Sequence, residues 1–265
     1  MPEAIHLEEF ASFHQPALEA DEARHNLILG LAGDASRGKF RLWTLGRPGA
    51  CAVQYPARNL VLGALSEAEC HQLADETSGE KFPGVVGCDE TAVWFVDRAR
   101  KRGLEFLPPV PQHIQVLDHP PRYPGAPGHA RPVSAADAGL FVGWAWAFSE
   151  EATPDDPKPA RDHLEQGIAE GRYSFWVVDG QAVSMAGIAR RTRHAAAISL
   201  VYTPPSLRGR GYAGSVTAAV AERILGEGKR SACLYTDQRN PASNRCYAKI
   251  GFLPICSAYH YVRTR

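Results

Sequence analysis

Leu200-Val-Tyr-Thr-Pro-Pro-Ser-Leu-Arg-Gly-Arg-Gly-Tyr-Ala-Gly214 is the stretch whose reading settles the fold class. A strand-like run ends at Thr203, two prolines break it, and Arg208, Gly209, Arg210 and Gly211 lead directly into a helix. Glycine lets the backbone turn sharply and lets a ligand approach with no side chain in the way. The first turn of a helix leaves about four N–H groups unpaired and carries the positive end of the helix dipole. Two arginines add full charge. Such a junction suits a phosphate or pyrophosphate. The plain alternative is a glycine-rich connector with solvated arginines.

Upstream, the pattern predicts three strands, Tyr173–Asp179, Ala182–Arg190 and Ala195–Thr203, with Asp179-Gly180 as a hairpin signal between the first two. Further upstream, Ser134 reads as the cap of a helix running to Ser149, and 158–171 as a second helix. Downstream, Ala213, Val216, Val220 and Ile224 recur at helical spacing and Gly228 stops the helix. Ala232–Asp237 then reads as a strand, and Asn240–Ile250 as a short helix with Pro241 in its first turn and Gly251 at its end. Residues 252–263 read as a closing pair of strands. This order implies an α/β (α+β) fold, a mixed central sheet flanked by helices.

The 265 residues are 45% apolar and 22% charged, ordinary for a globular protein and unlike a disordered one. No apolar run approaches the ~18 residues of a membrane span, so no membrane partner is expected. The opening MPEAIHLEEF is acidic rather than basic-then-apolar, so no signal peptide is read and a cytoplasmic setting is expected. Six scattered cysteines without a CxxC pair disfavour a disulfide framework and a zinc site, and the ten histidines show no ligand spacing. The zero net charge hides an asymmetry: residues 1–120 carry 11 Lys/Arg against 17 Asp/Glu, and residues 121–265 carry 18 against 12. The second half can therefore accept an anion, but no dense basic run points to nucleic acid.

Eight of the twenty prolines fall between Leu107 and Pro132, so the domain boundary is placed there. The expected organisation is an amino-terminal domain over 1–118, a Pro/Gly-rich linker over 119–129 and a carboxy-terminal domain over 130–265. A short strand is read inside the proline-rich stretch at His113–Leu117. The amino-terminal part predicts helices at Pro16–Gly30, Ser66–Thr77 and Asp89–Lys101 and strands at Phe40–Leu45 and Ala50–Gln54, with no comparable ligand loop.

Gly209–Gly214 also spells GxGxxG, the dinucleotide fingerprint, but its surroundings disagree. Pro204–Arg208 separate the glycines from the strand, three strands precede the loop, and Lys229 and Arg230 stand where an acidic ribose ligand is expected. A nicotinamide enzyme is the weaker reading.

Two matches carry a family resemblance. The first is Arg208-x-x-Gly211-x-Ala213 after a strand ending in Val201-Tyr202-Thr203-Pro204; the second is Asn240-Pro-Ala-Ser-Asn-Arg-Cys-Tyr247-Ala-Lys-Ile-Gly-Phe252. In this order, with a helix and a strand between them, they resemble the GNAT superfamily of acyl-CoA-dependent N-acyltransferases over roughly residues 130–265. The first 118 residues are compatible with a second, degenerate copy, as in tandem members. The resemblance implies that main-chain groups of Gly209, Arg210, Gly211, Tyr212, Ala213 and Gly214, beside Arg208, hold the pyrophosphate of acetyl-CoA. It also implies that Val201, Tyr202 and Thr203 pair with the pantetheine arm and that Asn240 bonds the same arm.

By the same resemblance Tyr247 is the general acid of an N-acetyltransferase, protonating the leaving thiolate. Helical geometry puts it on the face of Asn240, about 10 Å along the axis. A thiol of pKa about 8.5 and a tyrosine of about 10 suit that transfer. The base that deprotonates the amine is not identified by the sequence. Glu150, Glu151, Asp155 and Asp156 lie between the two leading helices, where the family borders its acceptor pocket; they would attract a cationic amine or form a solvated acidic loop. Ser199 is a further candidate for holding a water. Trp144 and Trp146 cannot share one helix face, so one is read as core and the other as rim. Cys246 reads as a buried structural thiol. The acceptor, a small-molecule or protein amine, and the oligomeric state stay open. A CoA-binding sensor without chemistry is the alternative from another class.

Overall fold

Successive side chains of each strand point to opposite faces, and buried clusters cover both. The computed structural model describes residues 7–33, 40–154 and 158–264. Backbone proximity divides the chain into two units. The first is Met1–Gln115, Tyr235–Asn240 and Pro254–Arg265; the second is Val116–Leu234 and Pro241–Leu253.

The first unit opens with α1 (Leu7–Glu9), a π-helical turn over Phe10–His14, α2 (Gln15–Glu19) and α3 (Asn26–Ala32). The single helix expected over Pro16–Gly30 is thus interrupted. Leu18 and Ile28, on either side of the break, enter one cluster with Phe10, Leu42 and Val53. Strands β1 (Arg41–Thr44), β2 (Cys51–Gln54) and β3 (Leu60–Leu62) form antiparallel pairs. The helix α4 (Glu67–Glu76) then crosses to β4 (Gly84–Cys88), parallel to β3, and α5 (Thr91–Lys101) leads to β5 (Val110–Leu117). Leu42 faces one cluster and Trp43 the other, packed with Leu62, Phe82 and Phe95. β3 is buried on both faces and β4 is a short Gly/Val run, so neither shows the polar-apolar alternation that reveals a strand. The strand β5 starts three residues earlier than expected and runs through Pro111, whose carbonyl accepts the Gln238 N–H at 2.9 Å.

In the second unit β6 (His129–Pro132) is an edge strand, which tolerates its proline, and pairs with β7 (Tyr173–Val178). Ser134 caps as expected: its N–H and hydroxyl donate to the Asp137 carboxylate at 2.8 and 2.6 Å. A 3₁₀ turn (Ala135–Asp137) follows, then α6 (Ala138–Ala152) and α7 (Arg161–Ala169). The strand β8 (Gln181–Arg191) joins β7 through Asp179 and Gly180, both at positive φ, as a type I′ hairpin requires. Antiparallel β9 (Ala195–Tyr202) follows, α8 (Tyr212–Gly226) crosses over, and β10 (Ser231–Asp237) returns parallel to β9. Phe141, Leu164 and Phe175 fill one face, and Val216, Val220, Ile224, Ile198 and Leu234 the other. Each fully buried Val, Leu, Ile or Phe there contributes about 1.5–3 kcal/mol. Last come α9 (Pro241–Ile250) and β11 (Leu253–Val262).

Two expectations change here. Residues 252–263 form one strand, not a pair, because Leu253–Val262 holds no Gly, Asn or Asp to turn on. That strand ladders antiparallel with β4 from Ala258↔Cys88 to Val262↔Gly84. A single cut at 119–129 therefore does not describe the chain: its last residues return to the first unit. The series β1-β2-β3-α4-β4-α5-β5 and β7-β8-β9-α8-β10-α9-β11 nevertheless match in element type, and their first four strands pair in the same senses.

Candidate functional site

The site begins where β9 leaves its ladder. This strand pairs with β10 only from Ala195 to Ile198, whereas its pairing with β8 continues, with register shifts, to Tyr202↔Met185. At Leu200 the backbone turns left-handed, φ +54, a conformation worth about 1–3 kcal/mol of strain in a non-glycine residue. Ser184 steadies the exit: its hydroxyl donates to the Tyr202 carbonyl at 2.9 Å and lies 2.8 Å from the Thr203 hydroxyl. Beyond Ile198 the main chain of Ser199–Tyr202 faces no β10 ladder among the described residues, leaving an edge that an extended ligand can pair with.

Pro204 to Arg208 form a tight turn, with Leu207 N–H donating to the Pro204 carbonyl at 2.9 Å and Arg208 N–H to the Pro205 carbonyl at 3.3 Å. The next backbone bond inward is Ser215 N–H to the Gly211 carbonyl, 3.0 Å. Between them, the six consecutive N–H groups of Gly209, Arg210, Gly211, Tyr212, Ala213 and Gly214 have no acceptor among the described residues. Gly211 precedes α8 at φ +83, a conformation that side chains resist, and no acidic side chain enters the first turn. Residues 208–211 are exposed, so an anion can reach these donors. Gly214 has a different reason: a β-carbon there would meet Pro124 Cγ at 2.7 Å and Cys246 Sγ at 3.3 Å. Its missing side chain makes room for the protein itself. One turn in, the Ser215 hydroxyl is buried without a partner among the described residues, and a serine inside a helix carries no sequence signal that would mark it.

The two arginines separate. Arg208 donates from Nε to the Thr203 carbonyl at 2.9 Å and from Nη2 to Glu151 at 2.6 Å, with its guanidinium over the Tyr202 ring. Tyr202 also donates to Glu151, at 3.4 Å. Arg208 thus braces the loop against the strand end and α6. Arg210 is exposed and has no partner among the described residues, so it is the charge left for an anion. Glu150 is ion-paired with Lys158 and Glu151 with Arg208, so neither offers a bare carboxylate to a cationic amine. Asp155 and Asp156 lie outside the described residues. Trp144 is half-buried against Phe175 and Tyr202, while Trp146 is exposed and donates to the Pro159 carbonyl, the core and rim roles expected of them.

Tyr247 lies on α9, buried and edge-on to Phe252 at 6.1 Å. Its hydroxyl has no hydrogen-bond partner among the described residues. Burial, with Cys246 adding to it, pushes its pKa well above the usual phenol range, so it stays protonated. Cys246, expected to be buried, is half-buried, and that burial raises its thiol. Asn240 N–H donates to the Asp237 carbonyl at 3.0 Å, and the residue belongs to the first unit. Among the described residues no cluster of three or more His, Cys, Asp or Glu can hold a metal, and no helix is long and apolar enough to cross a membrane.

No curated protein matches the chain. Residues 177–262 match the family model described as FR47-like protein, a segment running from the end of β7 through the glycine loop to the end of β11. Among solved structures, a GCN5-related N-acetyltransferase from Kribbella flavida is 17% identical at TM-score 0.60, covering 91% of this chain and 96% of its own. A GNAT-family acetyltransferase from Colwellia psychrerythraea is 11% identical at TM-score 0.57, covering 97% of both chains. A Drosophila protein is 13% identical at TM-score 0.66, covering 97% of this chain and 93% of its own. These likenesses are of fold, and with the family match inside the second series of elements they lead to one statement: this chain carries the fold of the GNAT acetyltransferases.

Proposed function

We propose that the protein is an acetyl-CoA-dependent N-acetyltransferase. The observation that supports this most is the run of six unpaired N–H groups at the start of α8, with Arg210 beside it. Donors left bare at a helix N-terminus suit a diphosphate, and the open edge of β9 suits the extended amide-bearing arm that follows the diphosphate in CoA.

The acceptor amine would attack the thioester carbonyl directly. A C–N bond forms, the C–S bond breaks, and the amine's surplus proton leaves to water or a base that is not assigned. Tyr247 would protonate the departing sulfur. Its raised pKa is compatible with that role, because burial that disfavours phenolate also disfavours a thiolate expelled into the same dry surroundings. Glu150 and Glu151 would bind the amine only by exchanging their present partners, Lys158 and Arg208. The matching element series supports reading the first unit as a degenerate copy that shapes acceptor choice. A cytoplasmic enzyme acting on a small-molecule or protein amine is the reading we adopt.

Calorimetry with acetyl-CoA, CoA and NAD is the first test. Binding of both CoA species in preference to NAD is expected; NAD preference overturns the proposal. Thiol release across a panel of amines is the second, and tight CoA binding with no turnover on any amine would favour a sensor.

A further inference from the structure

The first unit brings together two thiols that the acetyl-transfer reading does not use. Ala258 of β11 stands opposite Cys88, the last residue of β4, and Asp89 N–H donates to the Ser257 carbonyl at 2.8 Å. Cys256 precedes Ala258 by two residues and so projects from the same face, as the diagonal neighbour of Cys88. The ladder ends here: Asp89 turns to φ +46.

The Cys88 S–H donates to the Arg24 carbonyl at 3.2 Å, and Cys256 stands diagonally across the ladder from it, close enough for the two thiols to influence each other. Arg24 is ion-paired with Asp21 and Asp89 and lies close enough to Cys256 for its charge to be felt there. The hydrogen bond from Cys88, with help from Arg24, holds the Cys256 thiol below its ordinary value despite burial, whereas Cys88 itself is pushed up. The remaining thiols are placed differently. Cys51, Cys70 and Cys233 are buried, with Cys51 and Cys70 pushed up to about 12, and Cys246 is raised by burial. Cys88 and Cys256 are partly exposed, as is Cys246, so a small oxidant reaches all three; what sets the pair apart is that each has a second thiol beside it.

We propose that Cys256 and Cys88 form a peroxide-reactive dithiol, Cys256 the attacking and Cys88 the resolving thiol. The Cys256 thiolate attacks one oxygen of hydrogen peroxide. An S–O bond forms, the O–O bond breaks and hydroxide leaves, giving a sulfenic acid. The Cys88 sulfur then attacks the Cys256 sulfur. An S–S bond forms, the S–O bond breaks, and the oxygen leaves as water with the Cys88 proton. The two thiols lose two electrons and the peroxide gains them; a dithiol such as dithiothreitol reverses the change. The product ties β11 to β4 and closes a long loop, so it should raise the melting temperature by several degrees.

The full chain is treated with a few equivalents of hydrogen peroxide, alkylated, and digested without reductant for mass spectrometry. The expected result is a linked peptide pair containing Cys88 and Cys256, lost after dithiothreitol, with the other thiols still alkylated. Cys256→Ser should abolish the reaction, and Cys88→Ser should stop it at a Cys256 sulfenic acid that dimedone traps. In unmodified protein Cys256 should react with N-ethylmaleimide at least ~10-fold faster than Cys246, a readout that needs no variant to fold. Oxidation spread over all cysteines, oxidation first at Cys246, or Cys88 and Cys256 staying reduced would each overturn the assignment.

Discussion

Ser66 and Gly211 stand at corresponding points of the two units, each just before the helix that crosses between a pair of parallel strands. Ser66 closes its helix. Its N–H and hydroxyl donate to Glu69 at 2.7 and 2.8 Å, Glu69 N–H donates back to the Ser66 hydroxyl, and Arg47 holds the same carboxylate at 2.6 Å. The α4 terminus therefore carries its own anion. Gly211 has no side chain to cap with, no acid follows it, and six donors stay bare. A glycine at this position costs only about a few tenths of a kcal/mol relative to serine, so the terminus can stay open, and bare donors in a series whose counterpart is sealed suit an anion from outside.

The largest effect is expected at Tyr247, on the helix that follows β10 as α5 follows β4. Tyr247→Phe keeps the packing against Phe252 and should lower kcat by ~10²-fold or more, with the acetyl-CoA Kd within about twofold. A large affinity loss at unchanged turnover would remove the acid assignment. Next, Ala213→Glu gives α8 the first-turn acid that α4 has. Acetyl-CoA affinity should fall ~10-fold or more while the melting temperature holds or rises, because the carboxylate favours the helix end and repels a diphosphate. Unchanged affinity in calorimetry would move the ligand elsewhere.

The sealed junction supplies the smaller effects. Ser66→Ala should cost about 1 kcal/mol in urea unfolding and leave acetyl-CoA binding untouched. Smallest is a pH effect. Burial raises the Glu69 pKa, but Arg47 and Ser66 outweigh it and hold the carboxyl below its ordinary value. Its stabilising contribution is therefore complete above the unfolded value of about 4.3 and is lost as pH falls through the lower folded value. The urea midpoint should drop between about pH 5 and 3, and less steeply in Glu69→Gln. An identical slope in both proteins would show that Glu69 is not the group.

Much of the second unit was legible residue by residue. The hairpin at Asp179-Gly180, the Ser134 cap, the start of α8 and the proline and glycine that bound α9 are signals in neighbouring residues, and the structure places each as read. The first unit was less legible: Leu60–Leu62 is a strand buried on both faces, and Gly84–Cys88 is a short Gly/Val run, so neither has a polar-apolar alternation to read. In the site, glycine and arginine types marked the loop, but the division of labour between Arg208 and Arg210 was not readable. It depends on Glu151, fifty-seven residues away in sequence.

By itself the sequence determined what short stretches of backbone can do: where a helix starts, where a chain reverses, where proline ends a ladder. Those choices follow from dihedral limits and hydrogen-bonding capacity within a few residues. Only the tertiary structure decided that β11 ladders with β4, that Leu200 turns left-handed at the strand's exit, and that the loop's donors remain unspent. Each of these depends on which distant groups arrive as partners, and a local pattern carries no record of them.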